Sequence, residues 1–208
     1  MPLRPSQKLP RLFYAGADPL LIARNLLGCR LVVPTSEGAR VSGIIVETEA
    51  YHGPEDKAAH SYGNRRTKRN EVMYGPPGRA YVFFIYGMHY HFNVVTNQKD
   101  IPHAILIRAL EPGEGIDIMR ARRQLKQDRQ LTSGPGKLCA ALGIDRSYNM
   151  ADLRGDLVWI ETGRKIHPDE IRAGPRIGID YAEEFKEMPW RFWLRDSIYV
   201  SRRSPTRT

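Results

Sequence analysis

AYVFFIYGMHYHFNVVT, residues 80–96, decides the fold. Residues 80–86 and 89–96 are two runs dominated by aromatic and β-branched side chains, the types that fit a pleated surface. Gly87 and Met88 separate them, and a glycine between two such runs reads as a hairpin. Working outward, 104–110 supplies a third strand, and 29–33 and 42–51 supply two more around the Pro34–Gly38 turn. Shorter strands fit 157–161, 176–179, 191–194 and 198–201. Helical signals are fewer. Asp18 before Pro19 is a cap followed by a first-turn proline, and the helix runs to Leu27 until Gly28 stops it. Residues 112–126 place Glu114 and Asp117 early and the basic residues late, as a helix dipole prefers. Ser133-Gly-Pro-Gly-Lys137 opens a short helix that Gly143 closes. The Gly-, Pro- and charge-rich segment 53–79 reads as loop, with a helical turn over 56–62. The expected fold is α+β: one domain with a curved, mostly antiparallel sheet or open barrel as its core, and helices at the periphery. Residues 1–12 read as a polar arm, 13–201 as the domain and 202–208 as a basic tail.

The chain has 208 residues, 41% of them hydrophobic, enough for one substantial core. Its longest apolar runs fall far short of a membrane span, and no signal peptide is visible, so no membrane partner is expected. Cys29 and Cys139 stand in unrelated contexts without metal-ligand spacing, which suits a reducing compartment. That compartment is the cytoplasm and nucleoid of a prokaryote or the nucleus of a eukaryote. The net charge of +9 favours a polyanionic partner. The positive residues bunch at Arg65, Arg66, Lys68 and Arg69, at Arg120, Arg122, Arg123 and Lys126, and in the tail.

VETEAY, residues 46–51, is the first candidate for chemistry. Strand alternation puts Glu47, Glu49 and Tyr51 on one side and Val46, Thr48 and Ala50 on the other. Like charges this close repel, so one glutamate needs a cation or a raised pKa. Three interpretations stay open at this level. The strand is a solvated edge; or one glutamate is a general base for a water; or Glu47, Glu49 and Asp56 hold magnesium in a nuclease, with Lys57 nearby. The stretch 60–69 mixes small, aromatic and cationic residues suited to phosphates, or is simply a solvated loop. Tyr86 ends a strand where the chain turns, so it is either a wedge for duplex DNA or ordinary packing beside the turn. Phe83 and Tyr51 are either walls of a stacking pocket or core residues. Ser133–Lys137 offers backbone N–H groups beside a lysine, a phosphate-binding arrangement.

Together these segments are specific. VETEAY with Gly53-Pro-Glu-Asp56 and Ala58-Ala-His60, then Tyr81-Val82, Ile85-Tyr-Gly-Met88, Asn93, Arg108-Ala-Leu-Glu-Pro112 and Ser133-Gly-Pro with Lys137-Leu-Cys139, closely resemble the alkyladenine (3-methyladenine) DNA glycosylase family. The likeness runs in one order from about Asp18 to Glu161. It implies a base-excision-repair enzyme that flips alkylated or deaminated purines out of duplex DNA, such as 3-methyladenine, 7-methylguanine, hypoxanthine and ethenoadenine. It implies hydrolysis of the glycosidic bond with Glu49 as general base and Arg108 positioning the water. Tyr51, His60, Phe83 and Asn93 correspond to the base pocket, Asn93 acting against guanine's exocyclic amine. Tyr86 matches the intercalating residue, and Arg65, Thr67, Met73 and Lys137 fall at DNA-facing positions. Phe83 stands where some relatives have tyrosine, so a hydroxyl is lost. No lysine or terminal proline occupies the nucleophile position, which implies a monofunctional hydrolase with no strand cutting. No cofactor and no metal are expected, and the chain is expected to be a monomer. A related fold occurs as the C-terminal domain of formyltransferases, which keeps a non-catalytic nucleic-acid-binding module open beside the metal nuclease.

Overall fold

The longest strand, β2 (Arg40–Tyr51), organises the sheet in the computed structural model, which describes residues 7–85 and 87–201. On one edge it pairs from Gly43 to Tyr51 with β5 (His103–Pro112). On its other edge the first half pairs with β1 (Arg30–Pro34) and the second half with β8 (Arg191–Leu194). The sheet forks there. The hairpin β3 (Ala80–Ile85) and β4 (His89–Thr96) extends it beyond β5, while β6 (Trp159–Glu161) extends it beyond β1 and β7 (Ile171–Gly174) beyond β8. Every pairing between named strands is antiparallel, and the sheet curls into a half-barrel, the expected architecture.

Among the described residues, four α-helices lie outside the sheet: α1 (Arg11–Tyr14), α2 (Pro19–Leu26), α3 (Ile116–Arg123) and α4 (Pro135–Leu142). α2 starts as its sequence requires, with the Asp18 carboxylate accepting from the Leu20 N–H. It packs on β2, where the buried Thr48 hydroxyl donates to Ala23 O. α4 packs on β4 and β5, and α3 packs on α4. Ile45, Ala50, Phe92, Ile107, Leu138 and Phe192 belong to the core beneath them. The described part of the amino-terminal segment is docked: Leu9 is buried and its N–H donates to Ile160 O of β6.

Four expectations change. Residues 112–126 are helical only over Ile116–Arg123, because β5 runs on to Pro112 and Gly115 takes a left-handed φ of 72° before the helix begins. Residues 176–179 are not a strand. The strand there is β7, and Gly174-Pro175 ends it, since proline has no N–H for the ladder. Residues 198–201 form no strand either, because the Ser201 N–H is turned inward to a carboxylate. The helical turn over 56–62 is replaced by 3-10 turns at Gly53–Glu55 and Tyr62–Asn64 with irregular turns between.

Candidate active site

One row of paired residues crosses five strands: Tyr81 on β3, Asn93 on β4, Leu106 on β5, Glu49 on β2 and Arg191 on β8. Residues directly opposite one another across a ladder share a face of the sheet. The row therefore places Glu49 on the face away from α2, while its neighbour Thr48 points to the helix. Both glutamates of VETEAY are 0% exposed, so the solvated-edge interpretation is overturned. β2 is central, and both of its faces are covered.

Each carboxylate is held by its own set of donors. Glu47 accepts from the Arg191 guanidinium at 3.0 Å and from the Ser201 N–H and hydroxyl at 2.7 and 2.9 Å. Glu49 Oε1 accepts from the Ile177 N–H at 2.8 Å, and Oε2 accepts from the Tyr51 hydroxyl at 2.9 Å. Arg108 lies between them, its Nε 3.4 Å from Glu47 and its Nη1 3.3 Å from Glu49. A pair of register shifts frames this group. Opposite β5, Val46 is the extra residue between Ile45 and Glu47, and Arg108 is the extra residue between Ala109 and Ile107. Burial alone would weaken the Arg108 charge, but Glu49 and Glu47 outweigh it and its pKa is raised. Burial, then the Glu49 charge, pushes the Tyr51 phenol well above its usual range, so it stays protonated as a donor.

Above this group opens a cavity of about 460 Å³. Tyr51, His60, Tyr81 and Phe83 form aromatic walls, with Asn93, Met73, Arg69 and Arg108 between them, and the segment 177–181 closes one side. Glu49 itself is not in the lining. It lies one layer behind, and Tyr51, Arg108 and Ile177, its three hydrogen-bonding or ionic partners, all face the cavity. Phe83 stands 4.7 Å from the His60 ring and 4.9 Å beneath the Arg69 guanidinium. His60 Nδ1 is 2.8 Å from the Tyr81 hydroxyl. Burial, then Arg69 and Arg65, lowers the His60 pKa to about 4; burial, then Arg108, lowers that of His91 to about 4. Both rings are neutral at pH 7. Asn93 is buried, and its amide N–H donates to Tyr81 O.

The structure brings Glu49, Arg108, Tyr51, His60, Phe83 and Asn93 together at this cavity. Met73, expected to face DNA, is buried and forms part of the cavity wall instead. Arg65 and Thr67 are exposed along a shallow recess beside His60, and Lys137 is exposed at the first turn of α4, apart from the cavity. Tyr86 lies outside the described residues. Asp56 does not join the glutamates. Its carboxylate takes a bidentate ion pair from the fully buried Arg176, along with the N–H groups of His52 and Ala58. Among the described residues, the His, Cys, Asp and Glu side chains close enough to share an ion are His52, Glu55 and His103, so Glu47, Glu49 and Asp56 make no magnesium cage.

Sequence reasoning missed several residues here. Tyr81 and His91 were accessible to it, being two positions from Phe83 and Asn93 on the same strands and therefore on the same face. Arg176, Arg191, Ser201 and the 177–181 segment carried no such signal, because they reach the site from more than 120 residues away.

The chain as a whole matches known proteins. A family model described as Methylpurine-DNA glycosylase (MPG) matches residues 13–198. A protein of Desulfitobacterium hafniense named "Putative 3-methyladenine DNA glycosylase" is 53% identical over 203 residues, covering 94% of this chain and 98% of its own. Proteins of the same name from Clostridium acetobutylicum and Bacillus cytotoxicus are 49% and 48% identical, covering 93% and 94% of this chain and 97% and 100% of their own. A likeness this strong over nearly the whole length assigns the protein: the chain belongs to the methylpurine-DNA glycosylase family.

Proposed function

We propose that this protein excises methylated purines from duplex DNA by hydrolysing the bond between the base and its sugar, with Glu49 as general base. The observation that carries this is a buried carboxylate directly behind an aromatic cavity, ringed by Tyr51, Arg108 and Ile177. Rings above and below a flipped base suit a cationic purine, whose attraction to aromatic faces adds to stacking. Neutral His60 and His91 add no repulsion against it. A water entering between Tyr51, Arg108 and Ile177 meets Glu49. Glu49 takes its proton as the oxygen bonds to the anomeric carbon, and the glycosidic electrons leave with the purine. A base methylated at N3 or N7 departs neutral and needs no acid. Neutral lesions such as hypoxanthine and ethenoadenine need protonation as they leave. Arg108 holds the site's charge balance and orients the water, Asn93 crowds the exocyclic amine of guanine, and Tyr86 fills the space the base vacates. With no amine at the nucleophile position, the reaction ends at the abasic site without strand cutting. The protein acts as a monomer, and Arg65, Thr67 and Lys137 contact phosphates.

Replacement of Glu49 by Gln tests this, because the amide keeps the shape and loses the basicity. Base release from a duplex bearing one 7-methylguanine should fall by three or more orders of magnitude, on the order of a lost catalytic group, while lesion-duplex affinity stays within about threefold, below 1 kcal/mol. Retained release would exclude Glu49 as the base. Release should also persist in excess EDTA; loss of activity there would favour a metal nuclease.

A further inference from the structure

Arg176 is fully buried, yet nothing in the reaction above uses it. Its Nη1 donates to Ala50 O at 2.9 Å, and its Nη1 and Nη2 form the bidentate pair with Asp56. Its guanidinium lies between two rings, 4.7 Å from Tyr51 and 5.0 Å from Trp190. The following residue is Ile177, whose N–H is 2.8 Å from Glu49. Thus one side chain touches the ring that carries the Tyr51 hydroxyl and anchors the backbone that carries the Ile177 N–H. Among the described residues, those are the two hydrogen-bond donors to Glu49 from outside β5.

We infer that Arg176, locked by Asp56, is a positioning residue that fixes Tyr51 and Ile177 and through them the orientation of the Glu49 carboxylate. This rests on Glu49 being the general base. The energetics favour placement over stability as its yield. An ion pair this deep loses hydration that its attraction only roughly returns, and well-packed apolar residues often serve stability as well or better. What apolar residues cannot supply is a planar fork that stacks between two rings while fixing a carboxylate and a backbone carbonyl together. Residues 177–181 leave the sheet, and the anchor at 176 sets where that wall of the cavity begins, together with Ile179 packed on Ala58 and the Tyr181 hydroxyl donating to Ala58 O.

The test uses the full chain with Arg176→Lys, which keeps a cation beside Asp56 but loses the fork and the stack, and with Asp56→Asn. Single-turnover release of 7-methylguanine is measured beside lesion-duplex affinity, so that a loss confined to the chemical step separates from a loss of binding. The release rate should fall about tenfold or more, the range of supporting-shell losses, with lesion affinity within about threefold. Folded variants with an unchanged release rate, or with rate and affinity falling together, would overturn the inference. So would an Arg176→Lys chain that is unfolded at 25 °C, since the pair would then be a stability element. Glu49→Gln run in parallel separates the two ideas. If that variant releases base, the general-base assignment falls; if it is inactive while both Arg176 and Asp56 variants behave as the parent, only the positioning role falls.

Discussion

Glu47 accepts both the N–H and the hydroxyl of Ser201, at 2.7 and 2.9 Å, across 154 residues of chain. Three hydrogen bonds and the Arg108 ion pair converge on this buried carboxylate once the half-buried Arg191 is counted. Removing one partner from such a group leaves uncompensated charge. Glu47→Ala should therefore lower the unfolding free energy by about 3–5 kcal/mol, read from urea midpoints at constant slope. Ser201→Ala removes only the hydroxyl and should cost about 1 kcal/mol. Equal midpoints for Glu47→Ala and the parent would show that the carboxylate carries no structural weight.

Stability should fall on mild acidification. Burial first, and nearby charges next, hold His60, His91 and His103 at about 4 against an ordinary 6.5. Between those values the unfolded chain binds protons that the folded one does not, so the unfolding free energy falls as pH drops. The contribution is absent above pH 6.5 and grows toward pH 4, on the order of 1–2 kcal/mol per histidine after allowing for partial exposure. Thermal melts from pH 7.5 to 4.5 check this, and His103→Asn should flatten the slope.

Phe83 supplies a face to His60, to Arg69 and, in the proposed reaction, to the base. Phe83→Ala should weaken lesion-duplex binding on the order of ten- to a hundredfold, the range of one lost base stack. Phe83→Tyr keeps the ring and should stay within about threefold, a loss below 1 kcal/mol. Titrations with a hypoxanthine duplex measure both. An alanine variant that binds as well as the parent would remove Phe83 from the stacking pocket.

Arg65 and Lys137 are both exposed and lie apart, one beside the cavity and one on α4. If each meets a phosphate, Arg65→Ala and Lys137→Ala should each reduce the slope of log affinity against log salt by about 1. Damaged and undamaged duplexes should be affected alike. A slope unchanged in either variant assigns that residue to solvent.

Much of this arrangement was legible in the sequence because it is local. The hairpin 80–96 declares itself through residue type, α2 through its cap and proline, and β8 through a short β-prone run placed at Arg191–Leu194. Strand alternation put Glu47 and Glu49 on one face, yet composition could not tell a wet edge from a buried centre, since that depends on β5 and β8 arriving on either side. The deepest error was at 176–179. Arg176 looks like a surface residue beside β-prone neighbours, and only a partner 120 residues away turns it inward. Met73 shows the same limit, because a methionine in a polar loop gives no sign that a cavity wall will enclose it.

The two register shifts flanking Glu47 have a further consequence. They are equal and opposite, so beyond them β2 and β5 resume the same alignment, and the downstream residues keep their sides. Omitting a single residue from one strand alone would reverse inside and outside for everything that follows on it. The irregularity is thus a local detour that admits one extra guanidinium between two acids, in a ladder that would close more regularly without it.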